Sequence, residues 1–158
     1  MVEHVYTAAV EWRRGEGEAF TDNRYGRGHL WTFDGGVSVP ASSAPSSVRV
    51  PYSREDAVDP EEALVAALSS CHMLFFLSFA AKAGYVVDRY RDDASGTMAP
   101  NESGRLHLSR VTLAPAVAFS GESQPDAPAI EALHHAAHDH CYIANSVRAE
   151  IVIEPRTF

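Results

Sequence analysis

Two cysteines, Cys71 and Cys141, are the only thiols in this 158-residue chain. A thiol can act as a nucleophile, bind a metal or simply fill space in a core, and its surroundings decide which. Cys71 is followed by His72, and Cys141 by Tyr142. Cys141 also ends the histidine-rich run His134-His135-Ala136-Ala137-His138-Asp139-His140-Cys141. On a helix, His134 and His138 share a face and Cys141 follows one turn later. Such a face could present three ligands to zinc or another borderline metal. The competing reading makes these solvent-facing histidines near a helix C-terminus, where the dipole favours a cation.

The element that positions Cys71 is a long helix. Asp59 suits the N-cap, Pro60 the first helical position, and Glu62 completes a capping-box pattern. No fixed charge occurs from Ala63 to Ala81, and Gly84 is a suitable C-terminal stop. The apolar residues do not keep to one side, so burial on most sides is expected. The uncharged run is long enough to cross a bilayer. Its Ala, Ser and mid-span His, set among strand patterns, read instead as a core helix.

Before that helix, Val5–Trp12 alternates as a strand and Ala19-Phe20-Thr21 reads as a return strand. His29–Phe33 is a further strand, closed by the turn Asp34-Gly35-Gly36, with Val37-Ser38-Val39 after it. Pro40 to Asp59, rich in Pro and Ser, is a long connection that could flank a binding site or be plain loop. After the helix, Tyr85–Val87 and Tyr90–Met98 are extended, followed by a turn at Pro100–Gly104. Arg105–Ala114 and Ala116–Phe119 follow as strands, with Pro115 at a bulge or edge. A second helix spans about Pro128 to His140, opened by Asp126. The chain then closes with a strand that turns Val147, Ala149, Ile151 and Ile153 inward. Strands, helix, strands, helix, strand make an α+β order with no repeat and no glycine-rich phosphate loop.

Asp59-Pro60-Glu61-Glu62 leading to Ser70-Cys71-His72, then Ala137-His138-Asp139-His140-Cys141 and Ile143-Ala144-Asn145-Ser146, resembles the OsmC/Ohr family of thiol peroxidases. These are the osmotically inducible and organic-hydroperoxide-resistance proteins. The resemblance runs over nearly the whole chain. It implies a single OsmC-like domain, 1–158, with antiparallel sheets around a long buried central helix, in an intertwined homodimer. It also implies reduction of organic hydroperoxides in oxidative-stress defence. Cys71 would be the peroxidatic residue and Cys141 the resolving one, with a disulfide reopened by an external dithiol such as a lipoyl-protein or small thiol. No cofactor is implied.

In the family an arginine and a glutamate assist the thiolate. Glu61 matches the glutamate, and Arg27 best fits the arginine, with Arg49 as the rival. A guanidinium favours a nearby thiolate, and a carboxylate aims the guanidinium. Met73, Phe75 and Phe76 could receive an apolar peroxide tail. Two features depart from the better-known members: Tyr142 stands where many have proline, and His72 follows the first cysteine.

Glu61 and Cys71 are ten positions apart, roughly 15 Å along an unbroken helix. Either the helix breaks near Ser69-Ser70, or a second chain supplies the working glutamate. The second option leads to an obligate dimer.

The formal net charge of −8 argues against nucleic acid or an anionic membrane surface as partner. The start, Met1-Val2-Glu3-His4, lacks a signal-peptide pattern, and two distant cysteines do not make a secreted disulfide scaffold. A cytoplasmic setting is expected. The alternative function is a non-catalytic metal- or small-ligand-binding protein using Cys141 with His134 and His138. A further one is an interaction module that keeps the fold without catalysis.

Overall fold

The computed structural model describes residues 3–158, which form two compact units, the first running to Ala63 and the second from Leu64 to Phe158. The boundary falls within the first turn of the long helix.

In the first unit, β1 (Ala8–Glu11), β2 (His29–Phe33) and β3 (Ser38–Ala41) form an antiparallel sheet in that order. Val10 pairs with Trp31, and Trp31 with Val39. Gly36, at φ +81°, makes the β2–β3 turn that its lack of a Cβ permits. The return strand expected at Ala19–Thr21 does not form. Glu18 instead accepts hydrogen bonds from the backbone N–H groups of Gly15 and Gly26. Phe20 stacks on Tyr25 at 4.4 Å, with Trp12 5.4 Å from Tyr25. Side chains thus satisfy and pack this segment in place of strand pairing.

The long helix α1 runs unbroken from Pro60 to Lys82. Its capping box is reciprocal: Glu62 N–H donates to Asp59 Oδ1, and Asp59 N–H to Glu62 Oε1, both at 2.8 Å. At the other end Tyr85 N–H reaches Ala80 O and Gly84 N–H reaches Ala81 O, the paired closure of a glycine-ended helix. The break considered near Ser69-Ser70 is absent. Burial on most sides is met along one stripe only: Leu68, His72, Phe76 and Ala80, spaced by four, are inaccessible, while Leu74 is 61% exposed. By length and composition α1 could cross a membrane. In this chain its buried stripe is packed as a core helix.

In the second unit, β4 (Val86–Asp92) pairs antiparallel with β7 (Pro115–Ser120). The other sheet has the order β5 (Ser95–Pro100), β6 (Leu106–Leu113), β8 (Glu150–Ile153), with β5–β6 antiparallel and β6–β8 parallel. Pro115 begins β7 opposite Asp92 and is buried. The helix α2 (Ala127–His140) starts at Asp126, whose Oδ1 accepts from Ala129 N–H at 2.9 Å.

Two cores meet along α1. Leu68, Val111, Leu113 and Cys141 form one, joined by Ala149, Ile151 and Ile153 as the alternation of the last strand requires. Phe76, Ala80, Leu133 and Ala137 form the other. Asp92 ties α1 to the sheets, accepting from Ser69 Oγ at 2.5 Å and from Ala114 N–H at 2.6 Å.

Candidate functional site

The fold brings the two cysteines together. Cys71 lies half-buried on α1, packed against the core cluster that contains Cys141. Cys141 is 0% exposed and is the residue at which α2 ends. Its backbone turns extended there (φ −64°, ψ 112°), and a short 3₁₀ turn, Ala144–Ser146, wraps around it. Ala144 N–H donates to Cys141 Sγ at 3.3 Å, while Asn145 N–H and Asn145 Nδ2 both donate to Cys141 O at 3.0 Å.

Burial, which disfavours a thiolate, pushes the Cys141 thiol up to about 11. The neighbouring Cys71 acts in the same direction, and the Cys141 thiol points at Leu68 O, 4.0 Å away. The backbone N–H groups of Ala144 and Ile143 oppose both effects and are outweighed. At neutral pH Cys141 therefore keeps its proton. Cys71, the more accessible sulfur, is the one a small oxidant can reach.

The apolar wall is rearranged from expectation. Phe76 is 0% exposed, a core residue that cannot face a ligand. Phe75 remains beside the cysteine cluster, and the exposed Tyr142 ring meets it edge-on at 5.1 Å.

Arg27 and Glu61 belong to the first unit. The Arg27 guanidinium lies 3.7 Å over the Tyr25 ring and donates to Asn23 O, Asn23 Oδ1 and Tyr25 O. It lines a cavity of about 410 Å³ with Trp12, Phe20, Tyr25 and His29. Glu61 is half-buried and makes no ion pair among the described residues. Its neighbour Glu62 is committed to the helix cap. Arg49 lies 5.8 Å over the Tyr52 ring.

Among the described residues, no group of three or more His, Cys, Asp or Glu side chains is arranged to hold a metal ion. His134 points instead to α1, where His72 Nε2 lies 3.0 Å from His134 Nδ1. His135 faces Asp139 at 3.4 Å, and His140 Nδ1 lies 2.9 Å from Ala136 O, both side chains being exposed.

The His72–His134 pair is not among the expectations drawn from sequence. Its signal was present: His72 falls on the four-residue stripe Leu68, Phe76, Ala80, and His134 beside Leu133 and Ala137. Burial lowers both imidazoles to about 4, aided for His72 by its histidine neighbours, so both are neutral at pH 7. His134 Nε2 and His138 Nδ1 are buried without a hydrogen-bond partner among the described residues.

Comparison with known proteins adds to this geometry. The family model described as OsmC-like protein matches residues 53–156. An OsmC-like protein of unknown function from Vibrio cholerae shares 51% identity, covering 98% of this chain and 100% of its own, with a TM-score of 0.96. The organic hydroperoxide resistance protein OhrB of Bacillus subtilis has a TM-score of 0.65 at 20% identity, covering 96% and 98% of the two chains. An organic hydroperoxide resistance protein from Elizabethkingia anophelis has a TM-score of 0.70 at 16% identity, covering 99% and 100%. At such identities these last two show a shared fold. No curated protein matches the chain.

Proposed function

The chain belongs to the OsmC-like protein family, and from that premise we propose that it is a thiol-dependent peroxidase that reduces organic hydroperoxides. The observation that carries this reading is the packing of a half-buried Cys71 against a fully buried, proton-holding Cys141. The Cys71 thiolate attacks the terminal peroxide oxygen, the O–O bond breaks, and an alkoxide leaves to be protonated as the alcohol. Cys71 is then a sulfenic acid. The Cys141 sulfur attacks the Cys71 sulfur, and its proton departs with the sulfenic hydroxyl as water, leaving a disulfide. An external dithiol exchanges through a mixed disulfide and restores both thiols.

Arg27 and Glu61 are proposed to serve the thiolate, the carboxylate aiming the guanidinium. Because α1 is continuous, Glu61 and Cys71 of one chain stand roughly 15 Å apart along its axis. The working glutamate is therefore assigned to a second copy in a homodimer. The apolar surface α1 leaves open, with Leu74 61% exposed, is what such a copy would cover.

The test is thiol counting before and after one equivalent of cumene hydroperoxide, on the parent and on Cys71→Ser and Cys141→Ser. The parent loses two thiols, and Cys141→Ser accumulates a sulfenate. An unreacted Cys71 at excess peroxide would end the proposal. Sedimentation checks the dimer separately, since a stable micromolar monomer would remove the second-copy assignment of Glu61.

A further inference from the structure

The segment Ile143-Ala144-Asn145-Ser146 is left without a task by the peroxidase steps. In the structure it folds back on Cys141, and one side chain holds it there. Asn145 Nδ2 donates to Asp139 O and to Cys141 O, each at 3.0 Å, and Asn145 N–H donates to Cys141 O at the same distance. A carboxamide nitrogen has two hydrogens to donate, and here both go to carbonyls at the end of α2. The last carbonyls of a helix have no partner within it, so they are free to accept these bonds.

The clamp reaches the sulfur through the residue before Asn145. Ala144 N–H donates to Cys141 Sγ at 3.3 Å. With Ile143 N–H it favours the Cys141 thiolate against burial. The elements packed on Cys141 are mostly apolar there: β6 brings Val111 and Leu113, β8 brings Ile151 and Ile153, and α1 brings Leu68 beside Cys71. Cys71 is the titratable side chain that acts on it.

Resolution needs a sulfur that is both placed and able to lose its proton. The S–S bond forms as the S–O bond of the Cys71 sulfenic acid breaks, and the Cys141 proton leaves with the hydroxyl as water. Disulfide geometry is narrow. Cys71 lies inside the continuous α1 and Cys141 is 0% exposed. The approach is therefore set where α2 ends.

We propose that Asn145 is the positioning residue of the resolving step: its carboxamide holds the Ala144–Ser146 turn so that the Cys141 sulfur stays packed against Cys71 with Ala144 N–H upon it. This role rests on the peroxidase reading.

Reduced full chain, mixed with one equivalent of cumene hydroperoxide and quenched over time with dimedone and iodoacetamide, tests it, with mass spectrometry counting sulfenate and disulfide. Asn145→Asp keeps the side chain's shape and removes both donors, and Asn145→Ala serves should that variant fail to fold. Sulfenate forms within twofold of the parent rate. Disulfide closure slows at least tenfold, since misplacing a reacting group by about 1 Å costs on the order of 10²-fold. In a dithiothreitol redox buffer the disulfide-to-dithiol ratio falls at least threefold. A side chain that merely stabilised the fold would support both forms equally and leave that ratio unmoved. Ser146→Ala, which removes the 2.7 Å bond to Tyr142 O in the same turn, closes within threefold of the parent. Closure at the parent rate in both Asn145 variants, an unmoved ratio, or equal slowing by Ser146→Ala would overturn the role of Asn145 and leave Cys141 as the resolving residue. A parent Cys71 that forms no sulfenate would instead overturn the peroxidase reading, and this role with it.

Discussion

His72 Nε2 lies 3.0 Å from His134 Nδ1, with the two rings 5.3 Å apart and 10° from parallel. The pair joins α1 to α2 by a hydrogen bond inside an apolar core, and it is neutral because burial holds both groups near 4.

That depression makes stability depend on acid. The unfolded imidazoles take up protons near pH 6.5, while the folded ones wait until about 4. Between these values the unfolded state binds more protons, so stability is complete above about pH 6.5 and falls as pH drops toward 4. The loss for the pair is on the order of several kcal/mol at 1.36 kcal/mol per unit. Melting temperatures measured from pH 7 to pH 4.5 should fall steeply. His134→Gln should show a shallower slope, and an unchanged slope would count against the pair as its source.

The thiols should separate kinetically. Iodoacetamide at pH 8 should modify Cys71 at least tenfold faster than Cys141, which is 0% exposed and holds its proton up to about 11. In denaturant the two rates should converge, and peptide mass spectrometry reads both. The raised Cys141 value also withdraws stability in alkali. The unfolded thiol ionises first, so stability is complete below the ordinary thiol range near 8.5 and is lost as pH rises toward 11.

Glu61 and Glu62, adjacent in sequence, should divide structure from activity. Glu62 closes the capping box with Asp59, so Glu62→Ala and Asp59→Ala should each cost about 1 kcal/mol. Their combination should cost less than the sum, because the two bonds are reciprocal. Glu61→Gln keeps the side chain's size and breaks no ion pair among the described residues, so it should leave the melting temperature within about 2 °C, yet slow cumene hydroperoxide reduction at least tenfold. Equal peroxidase rates in Glu61→Gln and the parent would remove Glu61 from the mechanism.

Gly96 sets β5 close against α1. A Cβ there would stand 2.8 Å from Val65 Cγ2 and 2.9 Å from Leu108 Cδ2. Gly96→Ala should therefore destabilise by about 1–3 kcal/mol through overpacking, read by urea unfolding. The companion Gly96→Ala/Val65→Ala should recover part of that loss.

The parts legible in the sequence are those set by short-range chemistry. The caps at Asp59, Glu62, Gly84 and Asp126 satisfy backbone groups within a few residues, and β2 has the bounds expected of it, His29–Phe33. The family was legible too, because its cysteines and acidic motif are set at characteristic spacings. Ala19–Thr21 looked like a strand because local pattern carries no record of the ring cluster of Trp12, Phe20 and Tyr25 that holds it as a loop.

Tertiary structure alone decided the rest. It ran β8 parallel to β6 and enclosed Cys141 at the end of α2. It also turned His134 from a candidate ligand into the partner of His72. Composition could only say that α1 is apolar on all sides. Which stripe becomes core depends on what distant segments bring against it, and Val111, Leu113, Leu133 and Ala137 choose Leu68, His72, Phe76 and Ala80. Burial depends on contacts between residues far apart in the chain, and a periodicity read within one helix contains none of them.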